Sequence, residues 1–521
     1  MSSAEPPSGV APARSGGRPG APAVVTASGA DLTRAHLVGM GGAGMSAIAT
    51  VLLERGLAVS GSDAKASHAL TGLAALGAAV AIGQRTENLD LLPGGPTAVV
   101  VSTAIRPDNP EVVEARRRGL PVVRRADALA ALMAGSRSVC IAGTHGKTST
   151  TSMLTVALQH AGWDPSFAIG GELNESGTGA HAGSGDVFVA EADESDGSFL
   201  AFAPWGAVIT TIEPDHLDHH GTPEAYEAVF DEFARRIRPG GFLVAGIDDP
   251  GVRRLLARIE SRAGSGYDAA HGAAARPRLI TYGRAGDAMV RIESTQARGH
   301  STGAELALPG GGGITIEIGV PGEHMVANAA AVLAVGWELG VPPGELAAGL
   351  ASFTGVRRRF EFRGRSGDVR VYDDYAHHPT EVAATLTAAR AVAGPGRVVV
   401  VFQPHLYSRT VTFAARFATA LALADVVVVL DVYGARESPQ PGVTGALIAD
   451  AIDRTAAQVA YVPSLADTPR AVAGLVRGGD VVITMGAGDV TMLGPEVLRE
   501  LDSRGASRDS HRGDGQGARQ V

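Results

Sequence analysis

Residues 138–149 read Ser138-Val139-Cys140-Ile141-Ala142-Gly143-Thr144-His145-Gly146-Lys147-Thr148-Ser149, a short apolar run that opens into a glycine-spaced loop and closes on Lys-Thr. Glycine tolerates the backbone turns that point successive N–H groups inward around phosphate oxygens. A lysine beside such a turn neutralises the outer phosphates, and the hydroxyl after it can hold Mg²⁺. Residues 151–160 continue as a helical stretch, and a helix N-terminus adds positive charge at the same point. Gly143 stands three residues before Gly146, so the loop is tighter than the common G-x-x-x-x-G-K-[ST] form. Strand, loop and helix in this order predict a nucleotide-binding α/β domain.

Outward from this loop, composition limits the options. A chain of 521 residues builds two to four domains, each with its own core. Its formal net charge of −9, with no basic stripe interleaved with aromatics, argues against a nucleic-acid partner. The one cysteine, Cys140, excludes an intrachain disulfide or a cysteine-built zinc site and reads as a small buried strand residue. The longest apolar runs, 398–402 and 426–430, are of strand length and too short to insert in a membrane. Residues 1–30 are rich in Pro, Gly, Ala and Ser without an apolar core, and read as a disordered leader rather than a signal peptide. A cytoplasmic location follows by default, and deletion of residues 1–28 is expected to leave activity intact. Residues 502–521 read as a disordered tail, and the oligomeric state is left open.

Between the ends, three segments alternate strands and helices as parallel α/β sheets do. Residues 31–135 carry strands at 36–38, 98–102 and 121–123. Residues 136–355 open with the phosphate loop, add apolar strands at 187–190 and 207–211, and contain a Gly/Ala/Arg-rich stretch, 261–278, read as a flexible surface connection. Residues 356–501 carry strands at 369–373, 397–402, 426–431 and 481–484. Ligands of open parallel sheets collect at the carboxyl ends of strands, so chemistry is sought there.

The first such end carries Gly39-Met40-Gly41-Gly42-Ala43-Gly44, a G-x-G-x-x-G fingerprint between a strand and a helix, with Asp63 following the next strand about twenty residues on. This pattern specifies a diphosphate on a helix N-terminus and an acid within reach of a ribose or its substituents. NAD and a UDP-sugar both satisfy it, as does a turn that serves helix packing alone. A second, ATP-type loop a hundred residues later is not something an NAD enzyme needs.

Glu191-Ala192-Asp193-Glu194-Ser195-Asp196 follows the strand ending at Ala190. Four carboxylates so close repel unless a cation is near, and Mg²⁺ on ATP phosphates is the natural one. Glu213-Pro214-Asp215-His216-Leu217-Asp218-His219-His220 follows the strand 207–211. Without cysteines, this cluster suits Mg²⁺ or Mn²⁺ better than zinc, with Glu191 and His216 the best ligand pair; the other histidines are as well placed to face solvent. The third segment adds Arg357-Arg358-Arg359-Phe360-Glu361, Asp373-Asp374-Tyr375-Ala376-His377-His378-Pro379-Thr380 and Phe402-Gln403-Pro404-His405-Leu406-Tyr407-Ser408-Arg409-Thr410. Three arginines in a row usually form a solvated face, but at a domain junction they can reach phosphate on closure. Arg409 is suited to grip a carboxylate bidentately.

In chain order, residues 143–148, 191–196 and 213–220, Asn328-Ala329-Ala330, Arg358-Arg359-Phe360 and residues 373–379 resemble the motifs of the Mur ligase family, the ATP-dependent amino-acid ligases of peptidoglycan synthesis. The resemblance covers residues 31–501. It implies an α/β protein of three domains: an N-terminal Rossmann-like UDP-binding domain, a central P-loop ATPase domain and a C-terminal Rossmann-like domain that contacts amino acid and nucleotide. Within the family, VGMGGAGMSAIA (38–49), EADESDGSFL (191–200), DDYAHHPTE (373–381) and FQPHLYSRT (402–410) are most similar to the member that joins L-alanine to UDP-N-acetylmuramate through an acyl phosphate. The alternatives are a family member that attaches a recycled peptide to the same sugar nucleotide and, from another class, an NAD-dependent oxidoreductase.

By position, the resemblance implies that Gly143, Thr144, His145, Gly146, Lys147, Thr148, Ser149, Asn328, Arg359 and Asp374 bind ATP. Thr148, Glu191 and His216 would hold Mg²⁺, with Mn²⁺ in its place as an option. Gly39, Gly41, Gly42, Gly44, Asp63 and Ser102 would bind the UDP substrate, and Tyr375, His405 and Arg409 the amino acid. Lys147, Glu191, His216 and His377 would serve catalysis. Two positions depart from the family pattern: Met325 stands where many members have asparagine, and Leu406 where many alanine-adding members have arginine.

Overall fold

A computed structural model describes residues 23–262, 276–435 and 437–513, side chains being described up to residue 504 at that end. By contacts the chain divides into two compact units, residues 1–290 with 331–349, and residues 291–330 with 350–521.

In the first unit, strands β1 (Arg34–Val38), β2 (Ala58–Asp63), β3 (Ala79–Ile82), β4 (Ala98–Val101) and β5 (Val122–Arg124) form a parallel sheet in the order β3-β2-β1-β4-β5. The order reverses between β1 and β4, the point at which such sheets open a crevice for ligands. A second set comprises β6 (Arg137–Ala142), β7 (Ser166–Ala168), β8 (Ala180–His181), β9 (Val187–Glu191), β10 (Gly206–Ile209), β11 (Phe242–Gly246) and β12 (Arg278–Gly283). Here the order runs β12-β11-β10-β6-β9-β7-β8, parallel except for β8. β6 lies between β10 and β9, so the loop that leaves it emerges among the ends of three strands. At its start, Arg137 makes two bonds to Asp186, of 2.8 and 3.0 Å, and its guanidinium lies 5.7 and 5.5 Å from the rings of Trp163 and Trp205. Cys140 is buried on β6, and burial pushes its thiol up to about 12, in keeping with a packing role.

In the second unit, which takes β13 (Val290–Arg298) from its second residue on, β13, β14 (Ser301–Ala307) and β15 (Gly313–Ile318) pair antiparallel in sequence. A further sheet takes β16 (Glu361–Ser366), β17 (Val369–Asp374), β18 (Val398–Phe402), β19 (Val426–Val429), β20 (Gln458–Tyr461) and β21 (Val481–Met485) in the order β16-β17-β21-β18-β19-β20, with only β16 antiparallel. The runs VVVVF and VVVV are buried throughout, as strands covered on both faces must be. Val398, Val400 and Phe402 pack with Leu386, Phe417 and Ile448, while Val399 and Val401 pack with Val472 and Val497 on the opposite face.

Both ends differ from the sequence reading. Residues 23–30, assigned above to a disordered leader, make a turn closed by the Val25–Asp31 bridge, and Val24 and Ala30 are buried in the core. The helix Leu493–Gly513 runs on past residue 502, where the tail was expected to begin. Of the 261–278 stretch, Ser261 and Arg262 end the helix Pro250–Arg262 and Arg278 begins β12; the part between lies outside the described residues, as do residues 1–22 and 514–521.

Candidate active site

The loop between β6 and the helix Lys147–His160 is locked by its neighbours. Thr144 N–H donates to Thr211 O at 2.9 Å, and His145 N–H to Thr211 Oγ1 at 3.0 Å. Gly143 has φ +127°, and a Cβ there would collide with Thr210 Oγ1, so this glycine is required twice over. Gly146, at φ +79°, starts the helix with no side-chain cap and no acid in the first turn. The helix therefore presents open N–H groups and a positive end to an anion. Thr144 Oγ1 lies 2.9 Å from the Tyr226 hydroxyl, and His145 Nε2 lies 3.1 Å from Glu213 Oε2. Thr148 and Ser149 are buried at the helix start.

Lys147 Nζ donates to Gly143 O at 2.7 Å, Thr144 O at 3.1 Å and Glu194 Oε1 at 3.0 Å. Burial works against its charge, but Glu194, Asp193 and Glu191 outweigh it and raise its pKa. Burial pushes Glu194 up to about 7, against the pull of Lys147, and the Tyr226 hydroxyl also donates to Glu194, at 3.1 Å. The sequence reading did not single out Glu194. The signal was its place three residues after Glu191 in one acid cluster; only the fold reveals that it is the carboxylate opposite the loop lysine. Thr148 Oγ1 donates to Glu191 Oε1 at 3.1 Å, while Gly170 N–H holds Glu191 Oε2 at 2.8 Å. A hydroxyl and a carboxylate so placed are hard oxygen donors of the kind Mg²⁺ takes. His216 lies against Asp215, 3.6 Å from Nε2 to Oδ2, with its backbone left-handed at φ 51°.

At the first sheet, Gly39 and Met40 N–H both donate to Ser62 O, at 2.8 and 2.9 Å, and Gly41 N–H donates to Asp63 Oδ2 at 2.9 Å. Asp63 is the last residue of β2 rather than a residue beyond it. Gly42 caps the helix Ala43–Glu54 without a side-chain bond. Ser102 follows β4 and accepts from Ile105 N–H at 3.1 Å. Beneath the fingerprint lies a buried network unread in the sequence. Glu111, fully buried, accepts from Ser62 Oγ at 2.7 Å, from Arg85 N–H at 3.2 Å and from Asn88 Nδ2, and lies 3.4 Å from His36 Nε2. Burial opposes its charge, but the bonds from His36, Ser62 and Asn88 hold its pKa below the usual carboxylate range. Asn109-Pro110 ahead of it marks a helix start, and a lone histidine in an apolar strand was the other clue.

The second unit carries the remaining candidates. Asp374, at the end of β17, accepts from Phe360 and Ala376 N–H, both at 2.8 Å, and burial pushes it up to about 6 although Arg359 pulls it down. The guanidinium groups of Arg358 and Arg359 lie 4.7 and 5.2 Å from the Tyr375 ring. Arg358 also donates to Gly486 O at 2.8 Å. His377 Nδ1 lies 3.0 Å from Tyr375 O, and its ring centre is 5.7 Å from that of His405. Arg409, expected to grip a carboxylate, is buried and donates through Nη1 to His405 Nδ1 at 3.0 Å. Asn328 Nδ2 contacts Met325 Sδ at 3.7 Å. Burial pushes the neighbouring His324 down to about 4, with Arg359 adding to it. Leu406 is buried with φ 68°, so this departure places an apolar side chain in the interior.

Three family models match: Mur ligase family, catalytic domain, over residues 34–137; Mur ligase middle domain, over 141–336; and Mur ligase, glutamate ligase domain, over 358–488. A UDP-N-acetylmuramate–L-alanine ligase of Saccharopolyspora erythraea is 60% identical over 471 residues, covering 90% of this chain and 94% of that one. One from Rhodococcus erythropolis is 53% identical over 508 residues, covering 92% and 99%. The solved UDP-N-acetylmuramate–alanine ligase of Thermotoga maritima superposes with a TM-score of 0.73 at 28% identity, covering 90% of this chain and 99% of that one. A murein peptide ligase of Psychrobacter arcticus shares the fold, with a TM-score of 0.65 at 23% identity, covering 90% and 98%.

Proposed function

The chain belongs to the Mur ligase family, and from that premise we propose that it joins L-alanine to the lactyl carboxylate of UDP-N-acetylmuramate, converting ATP to ADP and phosphate. The observation that carries this reading is the likeness, at 60% identity across nine-tenths of the chain, to a ligase of that name. The Lys147–Glu194 and Thr148–Glu191 pairs supply the site chemistry. Membership sets aside the nicotinamide reading of the glycine fingerprint.

A carboxylate resists amines because its carbon is electron-rich and oxide is a poor leaving group. Transfer of the γ-phosphoryl group to it gives an acyl phosphate, which the alanine amine attacks with loss of phosphate. For the first step the chain supplies positioning and charge: the loop amides and helix N-terminus receive phosphate oxygens, and Lys147 remains cationic to meet the charge that develops. Thr148, Glu191 and His216 are the residues that would hold Mg²⁺, whose part is to neutralise phosphate charge. For the second step, the contact of His377 Nδ1 with Tyr375 O places the ring proton there. Nε2 is then the basic atom suited to take the proton released by the attacking amine. We assign Tyr375, His405 and Arg409 to the amino acid, Arg409 acting through His405, and Asn328, Arg359 and Asp374 to the nucleotide. We assign the reaction to the cytoplasm on the ground of its substrates, ATP and a sugar nucleotide. Among the described residues no helix is long and apolar enough to cross a membrane.

The test is phosphate release by purified protein with ATP, Mg²⁺ and UDP-N-acetylmuramate, adding L-alanine or the recycled tripeptide separately. Release that depends on L-alanine is expected. Release with the tripeptide alone would move the assignment to the recycling ligase, and release with neither would overturn the ligase reading.

A further inference from the structure

Arg125 opens the helix Arg125–Met133 directly after β5, and neither the chemistry above nor the family motifs quoted for this chain use it. Its guanidinium lies between two loops that do the work of the first unit. On one side it presses on Gly44, the last glycine of the fingerprint: a Cβ there would lie 3.1 Å from Arg125 Cδ and collide with Nη1. On the other side is Asp193, in the acid loop that also holds Glu191 and Glu194, with Nη2 3.7 Å from Oδ2. That separation is too long for a hydrogen bond. Among the described residues Asp193 is its one ionic neighbour, and no acceptor within hydrogen-bond distance meets any of its five N–H groups. Arginines that serve structure in this unit are satisfied differently. Arg137 makes two bonds to Asp186, and Arg118 bonds both Asp90 and Glu114.

On the Gly44 side the one carboxylate bonded to the glycine turn is Asp63, on the Gly41 N–H, among the described residues. The helix Ala43–Glu54 has no side-chain cap and no acid in its first turn, so its positive end and the guanidinium face the same space. Two positive centres side by side are stable when an anion joins them. The Arg125 side chain is about one-third exposed, at 31%, so a ligand can reach it.

We propose that Arg125 binds an anionic oxygen of the sugar nucleotide, reaching from the fingerprint toward the acid loop. This rests on the assignment of that ligand under the proposed function. The third glycine is thus needed to make room for a cation as much as for phosphate itself.

Calorimetric titration of the full-length protein with UDP, UDP-N-acetylglucosamine and UDP-N-acetylmuramate tests it without depending on turnover. Arg125→Ala is expected to weaken binding by on the order of ten- to a hundredfold, the loss of one charge-assisted contact or two, with ATP affinity unchanged. Equal loss for all three ligands places the contact on the diphosphate. Loss for UDP-N-acetylmuramate alone places it on the lactyl carboxylate, and either supports the proposal. Arg125→Lys, which keeps the charge but not the planar fork, should lose affinity by only a few-fold, and it decides the matter should the alanine variant fail to fold. Unchanged affinity of either folded variant for all three ligands would overturn the inference. Failure of the unaltered protein to bind any of them would instead overturn the substrate assignment on which it rests.

Discussion

Lys147 is held by two loop carbonyls and by Glu194, so its charge is in place before any phosphate arrives. Replacing it with alanine removes the cation and leaves Glu194 buried without its counter-charge. L-alanine-dependent phosphate release by Lys147→Ala should fall at least about a hundredfold, several kcal/mol of transition-state stabilisation; a rate within tenfold of the unaltered protein would refute the assignment. Glu194 also sets a pH dependence. Its ordinary value of 4.5 is raised to about 7, so between these values the folded protein holds a proton that the unfolded chain has released. Its contribution to stability therefore declines as pH rises from about 4.5 to 7 and is level above that. The stability difference between Glu194→Gln and the unaltered protein should shift in favour of the variant across that window, read from urea midpoints at pH 5 and pH 7.5. Parallel curves would show that burial does not perturb this carboxyl. Why Lys147 was legible and Glu194 was not is physical: a loop lysine is fixed by local spacing, whereas the identity of its partner depends on which of several adjacent acids β9 turns toward β6.

The strands could be read because most are continuous apolar or β-branched runs, and their ends coincide with the polar residues that mark loops; β6, β9, β18 and β21 all lie within a residue or two of their expected limits. Side-chain ties between elements could not be read. The hydrogen bonds that tie the helix Pro110–Arg117 to β1, β2 and the 85–88 turn converge on Glu111, and nothing local announces a carboxylate facing inward. Glu111→Ala strips an acceptor from Ser62, Asn88 and the Arg85 amide at once. It should lower unfolding stability by about 3–5 kcal/mol, the usual consequence of breaking a buried charged network. A thermal melt within a degree or two of the unaltered protein would show that the network is replaceable. Leu406 is another case. Its left-handed backbone at the head of the helix Tyr407–Leu421 has no sequence cue, since leucine rarely adopts it.

At the scale of the molecule, composition misjudged where the leader ends, because Pro- and Gly-rich sequence can still place single apolar residues in a core. Val24 and Ala30 do so. Removal of residues 1–30 should therefore lower the melting temperature below that of a chain lacking only residues 1–22; equal melts for the two truncations would show that the turn at 23–30 adds nothing. The Arg137 stack has a use of a different kind. The chain has three tryptophans, Trp163, Trp205 and Trp337; the first two lie within the stretch matched by the middle-domain model, and none lies in the stretches matched by the other two. With Trp337 changed to phenylalanine, the remaining emission arises from two indoles beside one guanidinium at the start of β6. Intrinsic fluorescence would then report the unfolding of the ATP-binding segment by itself, and set against far-ultraviolet circular dichroism, which sums all three segments, it would resolve whether they melt together or in turn.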